Sequence, residues 1–276
     1  MSMYNVDYLK EISHKMRLRI LQLAYGVGKN GAHVGGGLSS VEIFSTLYGS
    51  ILKYDLKNPL DKNRDRLIVS KGHCAIALFA VLEEVGYISK KELDQFEVNG
   101  SPYYAHASRN LLQGIEFSGG SLSLGLSFAV GVALSNKIEG LNNHVYVLLG
   151  DGECDEGLVW ESLMSAAHFN LTNLTVIVDC NDLQSDGVKK EIMNQLSLAD
   201  KFSSFGFSTK EIDGHNIEEL YNSFNSKSLT KPNAIIARTV KGKGVSFMEN
   251  NKDWHHGVLS LRQYELAVAE QYDRNK

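Results

Sequence analysis

Cysteine is scarce in this chain: of 276 residues only Cys74, Cys154 and Cys180 are cysteines, an odd number without CxxC spacing. That argues against a disulfide framework, favours a reducing compartment, and leaves the three as small buried hydrophobes. Charge of one sign is lacking too. With 28 Lys and Arg against 32 Asp and Glu, the net charge is −4, which argues against a nucleic-acid binder built on a broad basic face. The local basic patches Lys189-Lys190 and "KGKG" at 241–244 are expected to be solvated loop. No stretch reaches the roughly 18 uninterrupted apolar residues of a membrane span. The N-terminus "MSMYNVDYLKEISHKMRLR" is charged throughout, without the apolar core and small-residue cleavage site of a secretory leader. The expected location is therefore cytoplasmic, with neither membrane nor nucleic acid as a partner. Internal repeats and low-complexity segments are also missing. What remains, 43% hydrophobic and 22% charged residues, is the make-up of a soluble globular protein that can bury a sizeable core.

Periodicity organises the rest. Val6, Leu9, Ile12, Met16, Ile20, Leu23 and Val27 recur at steps of three and four, which predicts an amphipathic helix. A second helix is expected over Ser40 to Leu52, with Ser39 or Ser40 as its N-cap. "DRLIVSKGH" reads as a short buried strand delivering a polar loop, and "CAIALFAVLEEVGY" and "SLSLGLSFAVGVALSNKI" as helices. Then "HVYVLLG", "LTVIVDCN", "FSTKEIDG" and "NAIIARTV" read as strands, with "EGLVWESLMSAAHFNL" and "IEELYNSFNS" as helices between them. Strands of continuous Val, Leu and Ile alternating with helices predict a doubly wound, mostly parallel α/β sheet covered on both faces. One domain over 1–276 with an N-terminal helical segment is expected. In such sheets ligands bind beyond the carboxyl ends of the strands, and Asp151, Asn181 and Lys241 all follow strand ends, so they should face one edge.

Two polar stretches invite a binding motif. "GVGKNG" (Gly26, Gly28, Gly31) matches the dinucleotide fingerprint, but that motif needs a strand before it and a helix after it. Here a long helix precedes, so a helix C-cap followed by a glycine loop is expected instead. "GDGECDEGLVWES" places four carboxylates within six residues. Read as an EF-hand loop, it has Glu156 in the sixth position, where glycine is required, and Ser162 in the twelfth, where glutamate is required. The calcium loop fails. A different arrangement remains open: Asp151 at a strand end between two glycines, with Asn181 at the end of the next parallel strand. A carboxylate, an amide oxygen and a backbone carbonyl would hold Mg²⁺ or Ca²⁺ together with phosphate oxygens. From spacing alone, two polar strand-to-loop turns account for the same residues.

At these residues the chain resembles the thiamine-diphosphate enzymes, whose signature is GDG followed about thirty residues later by asparagine. More narrowly, it resembles the N-terminal, pyrophosphate-binding part of a transketolase. The segments "GAHVGGGLSSVEI", "DRLIVSKGHCAIALFAVLEEVG", "GIEFSGGSLSLGLS", "GDGECDEGLVWES", "CNDLQSDG" and "RTVKGKGVSFME" with "WHHG" follow in the family's order over nearly the whole chain. The resemblance implies Asp151, Asn181 and the Leu183 carbonyl as metal ligands, and Gly152 and His73 against the diphosphate. It implies Gly120 and Leu122 against the cofactor, and Glu156 in a carboxylate network coupling two active sites. His33, His106 and His256 match histidines lining the funnel to substrate, with the register between His255 and His256 open; neutral imidazole suits that work. Glu153 and Asp155 are left as loop polarity, and His14, His144, His168 and His215 as structural or surface residues. The sequence departs from the family at Ala105-His106-Ala107, where "GHP" is usual, and at Ser121, Ser123 and Leu124, around Leu122.

A transketolase is more than twice this length, and its pyrimidine-binding part has no counterpart here. The resemblance therefore implies a separate C-terminal partner subunit, an α₂β₂ assembly with cofactor at the interfaces, and sugar or sugar-phosphate substrates. Ketol transfer by a split transketolase is the expected activity. One component of a 2-oxo acid decarboxylase or dehydrogenase, and a noncatalytic paralogue, are the alternatives.

Overall fold

In the computed structural model, which describes residues 5–274, five strands form one parallel sheet: β1 (Arg66–Val69), β2 (Val145–Gly150), β3 (Leu174–Cys180), β4 (Ser208–Asp213) and β5 (Asn233–Arg238). Their spatial order is β1-β2-β3-β5-β4. Residues 1–4 and 275–276, the outer ends of the predicted N-terminal segment and closing helix, lie outside the described residues.

The apolar runs that predicted two-sided burial divide between two cores. Along β2, Tyr146 and Leu148 enter one cluster, while Val145, Val147 and Leu149 enter the other. The strand period of two thus makes a continuous hydrophobic run amphipathic toward two different helix layers. Helices Leu124–Ile138, Gly157–His168 and Leu198–Ser204 cover one face, burying Leu126, Ala129, Val159, Leu163 and Phe202. Helices Val6–Gly26, Ala75–Glu84 and Ile217–Asn225 cover the other. Strand order accounts for the side taken by Ile217–Asn225. The chain advances across the sheet from β1 through β3 to β4, then steps back to β5. Right-handed crossovers place helices on the opposite face when the direction reverses, and Ile217–Asn225, which joins β4 to β5, lies on that opposite face.

The predicted helix Val6 to Val27 is present as Val6–Gly26, and "GVGKNG" is its C-terminal end followed by a single 3₁₀ turn, Gly28–Asn30, with no strand ahead of it. The second predicted helix differs. Helical structure begins at Val34, runs Val34–Ser39 and Val41–Thr46, and ends in a π turn over Leu47–Ile51. Ser39 and Ser40 do not cap it; their hydroxyls donate back to the Gly36 carbonyl at 3.1 and 2.9 Å. The glycine run is therefore helix, and packing explains its composition. A Cβ at Gly35 would lie 2.7 Å from the Trp254 carbonyl oxygen, and one at Gly37 would lie 2.8 Å from Ile76 Cγ2. Close approach offsets the entropic cost of glycine in a helix. The three cysteines are free and buried. Among the described residues no helix is long and apolar enough to cross a membrane.

Candidate active site

Because the strands are parallel, the loops that follow them gather at one edge. The β2–β3 register pairs Gly150 with Asp179, so Asp151 and Asn181 emerge side by side. With Leu183, they line a cavity of about 250 Å³. The Asp151 carboxylate is held by backbone: Oδ1 accepts from Gly152 N at 2.9 Å and Oδ2 from Asp182 N at 2.7 Å. Burial pushes its pKa up, and the Lys189 ammonium works against that rise. Asn181 Oδ1 accepts from Leu183 N at 3.1 Å.

The donor set fits a hard divalent cation: carboxylate, amide and carbonyl oxygens on one wall of a polar cavity. A second grouping, Asp151 with Cys180 and Asp182, has ligand atoms within 4.8 Å of one another. Its acids are paired with cations: Lys189 lies 3.2 Å from Asp151 and Arg238 lies 3.3 Å from Asp182.

Two lysines line the same cavity. Lys241 and Lys71 are both buried, which corrects the expectation that the 241–244 segment is solvated loop; Lys189 is buried as well, and only Lys190 is exposed. Lys241 Nζ donates to the carbonyls of Leu183 at 3.0 Å and Gln184 at 3.3 Å. Burial lowers its pKa to about 8, with Lys71 adding to the effect. Lys71 Nζ donates to the Gly36 carbonyl at 3.1 Å and pairs with Asp179 beneath the cavity. Asp179 also accepts from Ser39 Oγ at 2.6 Å and from Thr239 Oγ1. Burial raises the Asp179 pKa, but Lys71 and the two hydroxyls outweigh it and keep the carboxyl below its ordinary value.

Four histidines close the cavity: His33, His73, His106 and His255. The His33 ring lies 5.5 Å from the rings of both His106 and His255. Of the neighbouring pair, His255 lines the cavity, with Nδ1 3.0 Å from Lys241 Nζ. His256, expected there, is exposed and packs its ring 4.7 Å from His33 outside the lining. The short 3₁₀ turn Lys252–His255 ends at His255, and His256 follows in extended backbone. Burial, reinforced by neighbouring cationic groups, lowers His33 to about 3 and His255 to about 4. These rings are therefore neutral near pH 7, and His33 Nδ1 is buried without a partner.

Their depressed pKa values have a measurable consequence. An unfolded chain takes up protons at these histidines below about 6.5, whereas the folded chain does not until His255 and His33 titrate. Their contribution to stability is complete above that pH and lost as pH falls. The melting temperature of the wild type is expected to decline between about pH 6.5 and 4, and to decline less steeply in His33→Gln/His255→Gln.

The acidic turn sorts differently from expectation. Glu153 is buried and lines the cavity. It accepts from Ser70 Oγ, from Ser123 N at 2.7 Å and from Gly150 N at 3.0 Å, tying together the loops after β1 and β2 and the start of helix Leu124–Ile138. That corrects its reading as loop polarity. Asp155 is exposed but accepts from Gln184 and Gln195. Glu156 is exposed at the start of helix Gly157–His168, outside the cavity lining. Gly120, at φ +134°, and Leu122 line the cavity mouth. Between Leu122 and the helix, Ser123 adopts φ +71°, the left-handed region that a glycine occupies without strain. Gly152 must be small, since a Cβ there would lie 2.9 Å from Gln184 Cγ.

The chain matches the transketolase thiamine diphosphate binding domain over residues 13–272. It is 38% identical over 271 residues to one of the subunits of the apulose-4-phosphate transketolase of Phocaeicola vulgatus, covering 98% of this chain and 95% of that one. It is 39% identical over 247 residues to a 6-deoxy-6-sulfo-D-fructose transketolase subunit of a Clostridium species, covering 88% and 90%. The crystal structure of transketolase from Campylobacter jejuni superposes with a TM-score of 0.88 at 28% identity, over 98% of this chain but 43% of that one. This chain thus spans less than half of that transketolase's length. A family match from the first helix to the last, together with relatives of matching length, makes this chain a member of the transketolase family and the equivalent of its thiamine-diphosphate-binding domain.

Proposed function

We propose that this chain is the diphosphate- and metal-binding subunit of a two-component transketolase. The reaction moves a two-carbon ketol unit from a ketose or ketose phosphate to an aldose or aldehyde. One observation carries the reading: the hard oxygen donors Asp151, Asn181 and Leu183 line a single cavity at the strand ends together with Lys71, Lys241 and four histidines. Oxygen donors suit Mg²⁺ or Ca²⁺, and the ammonium groups suit diphosphate oxygens.

Thiamine diphosphate, when bound, supplies the nucleophilic carbon that takes up the donor's carbonyl carbon. The chain's own residues bind and orient. Asp151, Asn181 and the Leu183 carbonyl hold the metal, and His73, Gly152 and Lys241 hold the diphosphate. Gly120 and Leu122 pack on the cofactor. His33, neutral at working pH, and His106 hydrogen-bond donor hydroxyls and move protons at the carbonyl oxygen. His255 takes the inner place assigned by resemblance to His256, which supports His33 from outside.

The cavity, at about 250 Å³, is smaller than the roughly 300–1,000 Å³ of sites that enclose a ligand of this size. A second wall is needed. Exposed apolar side chains follow the lining residues in the chain: Leu124 and Phe128 after Leu122, and Val188, Ile192, Met193 and Leu196 after Gln184 and Ser185. The Phocaeicola relative is named as one of several subunits of its transketolase, which supports a separate pyrimidine-binding partner in an α₂β₂ assembly. In it, exposed Glu156 would meet acids across the interface and couple the two sites. Residues 1–276 act as one domain, in the cytoplasm. The names of the two relatives, one for apulose-4-phosphate and one for 6-deoxy-6-sulfo-D-fructose, support a specialised sugar over pentose phosphates.

Co-purification with the product of a neighbouring reading frame of roughly 300 residues, the size of a compact domain pair, tests the reading. The pair is expected to transfer ketol units in the presence of thiamine diphosphate and Mg²⁺, and the chain alone to transfer none. Robust transfer by the chain alone would overturn the two-component assignment.

A further inference from the structure

The segment after β3 folds back on itself. Gln184 N donates to the Gly187 carbonyl at 2.9 Å, and Lys189 N donates to the Asp182 carbonyl at 2.9 Å. This return carries the Lys189 side chain inward until only 9% of it is exposed. Its ammonium lies 3.2 Å from Asp151 Oδ2, 2.5 Å from Asp182 Oδ1 and 3.5 Å from Cys180 Sγ. It does not line the cavity, so it approaches Asp151 from behind the wall.

We propose that Lys189 is a fixed counter-cation of Asp151 that stands behind the carboxylate and limits how tightly a divalent metal binds in front of it. The inference rests on the reading of Asp151 as a metal ligand. Lys189 is not needed to aim the carboxylate. Asp182 N and Gly152 N each hold one of its oxygens, and Gln195 Nε2 donates to the Asp151 carbonyl at 2.8 Å. What Lys189 adds is positive charge, a few ångströms from where a divalent ion would sit and in surroundings that screen it poorly. Without metal, that charge compensates a buried carboxylate that would otherwise be unpaired. With metal, it repels the ion.

Asp182 modulates the effect, because it shares the same ammonium and also accepts from Arg238 at 3.3 Å. Neutralising Asp182 leaves Lys189 wholly to Asp151. The two substitutions therefore act in opposite directions, which a general loss of structure would not produce.

Mn²⁺ titration of the chain in complex with its partner subunit, with saturating thiamine diphosphate and free Mn²⁺ read by electron paramagnetic resonance, tests this. Lys189→Met is expected to bind Mn²⁺ on the order of tenfold more tightly, Asp182→Asn about threefold more weakly, and Lys189→Arg like the wild type. Lys189→Met should also gain more melting temperature from Mn²⁺ than the wild type does. If Lys189→Met does not fold, Lys189→Gln and Asp182→Asn carry the same comparison. Equal or weaker binding by Lys189→Met and Lys189→Gln, or equal or tighter binding by Asp182→Asn, overturns the inference while leaving Asp151 as a ligand. Absence of Mn²⁺ binding in the wild type overturns the metal site and the inference with it.

Discussion

Asp151→Ala is expected to abolish metal-dependent binding of thiamine diphosphate, lowering cofactor affinity by at least about a hundredfold, the size of effect that follows from losing a charged metal contact. The carboxylate is the one acidic side chain among the proposed donors Asp151, Asn181 and Leu183, so its removal leaves two neutral oxygens facing a divalent ion. It also leaves the Asp182 N–H and the Lys189 ammonium without the acceptor they share. Asp151→Asn separates these effects. It keeps an acceptor for Asp182 N, and should restore stability while leaving affinity low. Isothermal titration with thiamine diphosphate, with and without Mg²⁺, checks both variants. Cofactor affinity unchanged by Asp151→Ala would remove the metal assignment.

Lys71→Met is expected to cost about 3–5 kcal/mol of stability, because it strands a fully buried carboxylate. Asp179 would keep Ser39 Oγ and Thr239 Oγ1 as donors but lose its only ion-pair partner among the described residues. The pair joins β1's loop to β3 under the cavity floor, so its loss should also disorganise cofactor binding. The double variant Lys71→Met/Asp179→Asn removes both charges and should recover a large part of the loss. Urea denaturation of the two variants and the wild type measures this. A loss below about 1 kcal/mol in Lys71→Met would mean that the carboxylate is solvated or protonated at no cost.

Much of the architecture is legible because it depends on period. Runs such as "VYVLLG" announce two-sided burial, and their alternation with helices announces a parallel sheet. The pairing of Asp151 with Asn181 follows from a strand end and the next parallel strand, and β2–β3 register bears it out. What was hidden depends on direction within a turn. Four acids between Asp151 and Glu156 carry no periodic signal, and only the 3₁₀ turn Gly152–Asp155 turns Glu153 inward toward Gly150 N while leaving Glu156 outside. The same holds for His255 and His256, adjacent residues of which only the first, at the end of one short turn, lines the cavity. Lys189 and Lys241 read as solvated charge in sequence, and they and Lys71 are buried because acids or carbonyls distant in the chain meet them. The "VGGGLS" segment was hidden for another reason: glycine usually breaks a helix, and here close contact with Trp254 and Ile76 requires it.

The central claim is that Asp151, Asn181 and the Leu183 carbonyl hold a divalent metal beside a diphosphate. Anomalous diffraction from crystals of the chain with its partner, grown with Mn²⁺ and thiamine diphosphate, tests it most directly. A single anomalous peak within about 2.0–2.4 Å of these three oxygens and in contact with diphosphate oxygens is the predicted result. Cofactor bound with the peak elsewhere, or with these three residues unliganded, would contradict it.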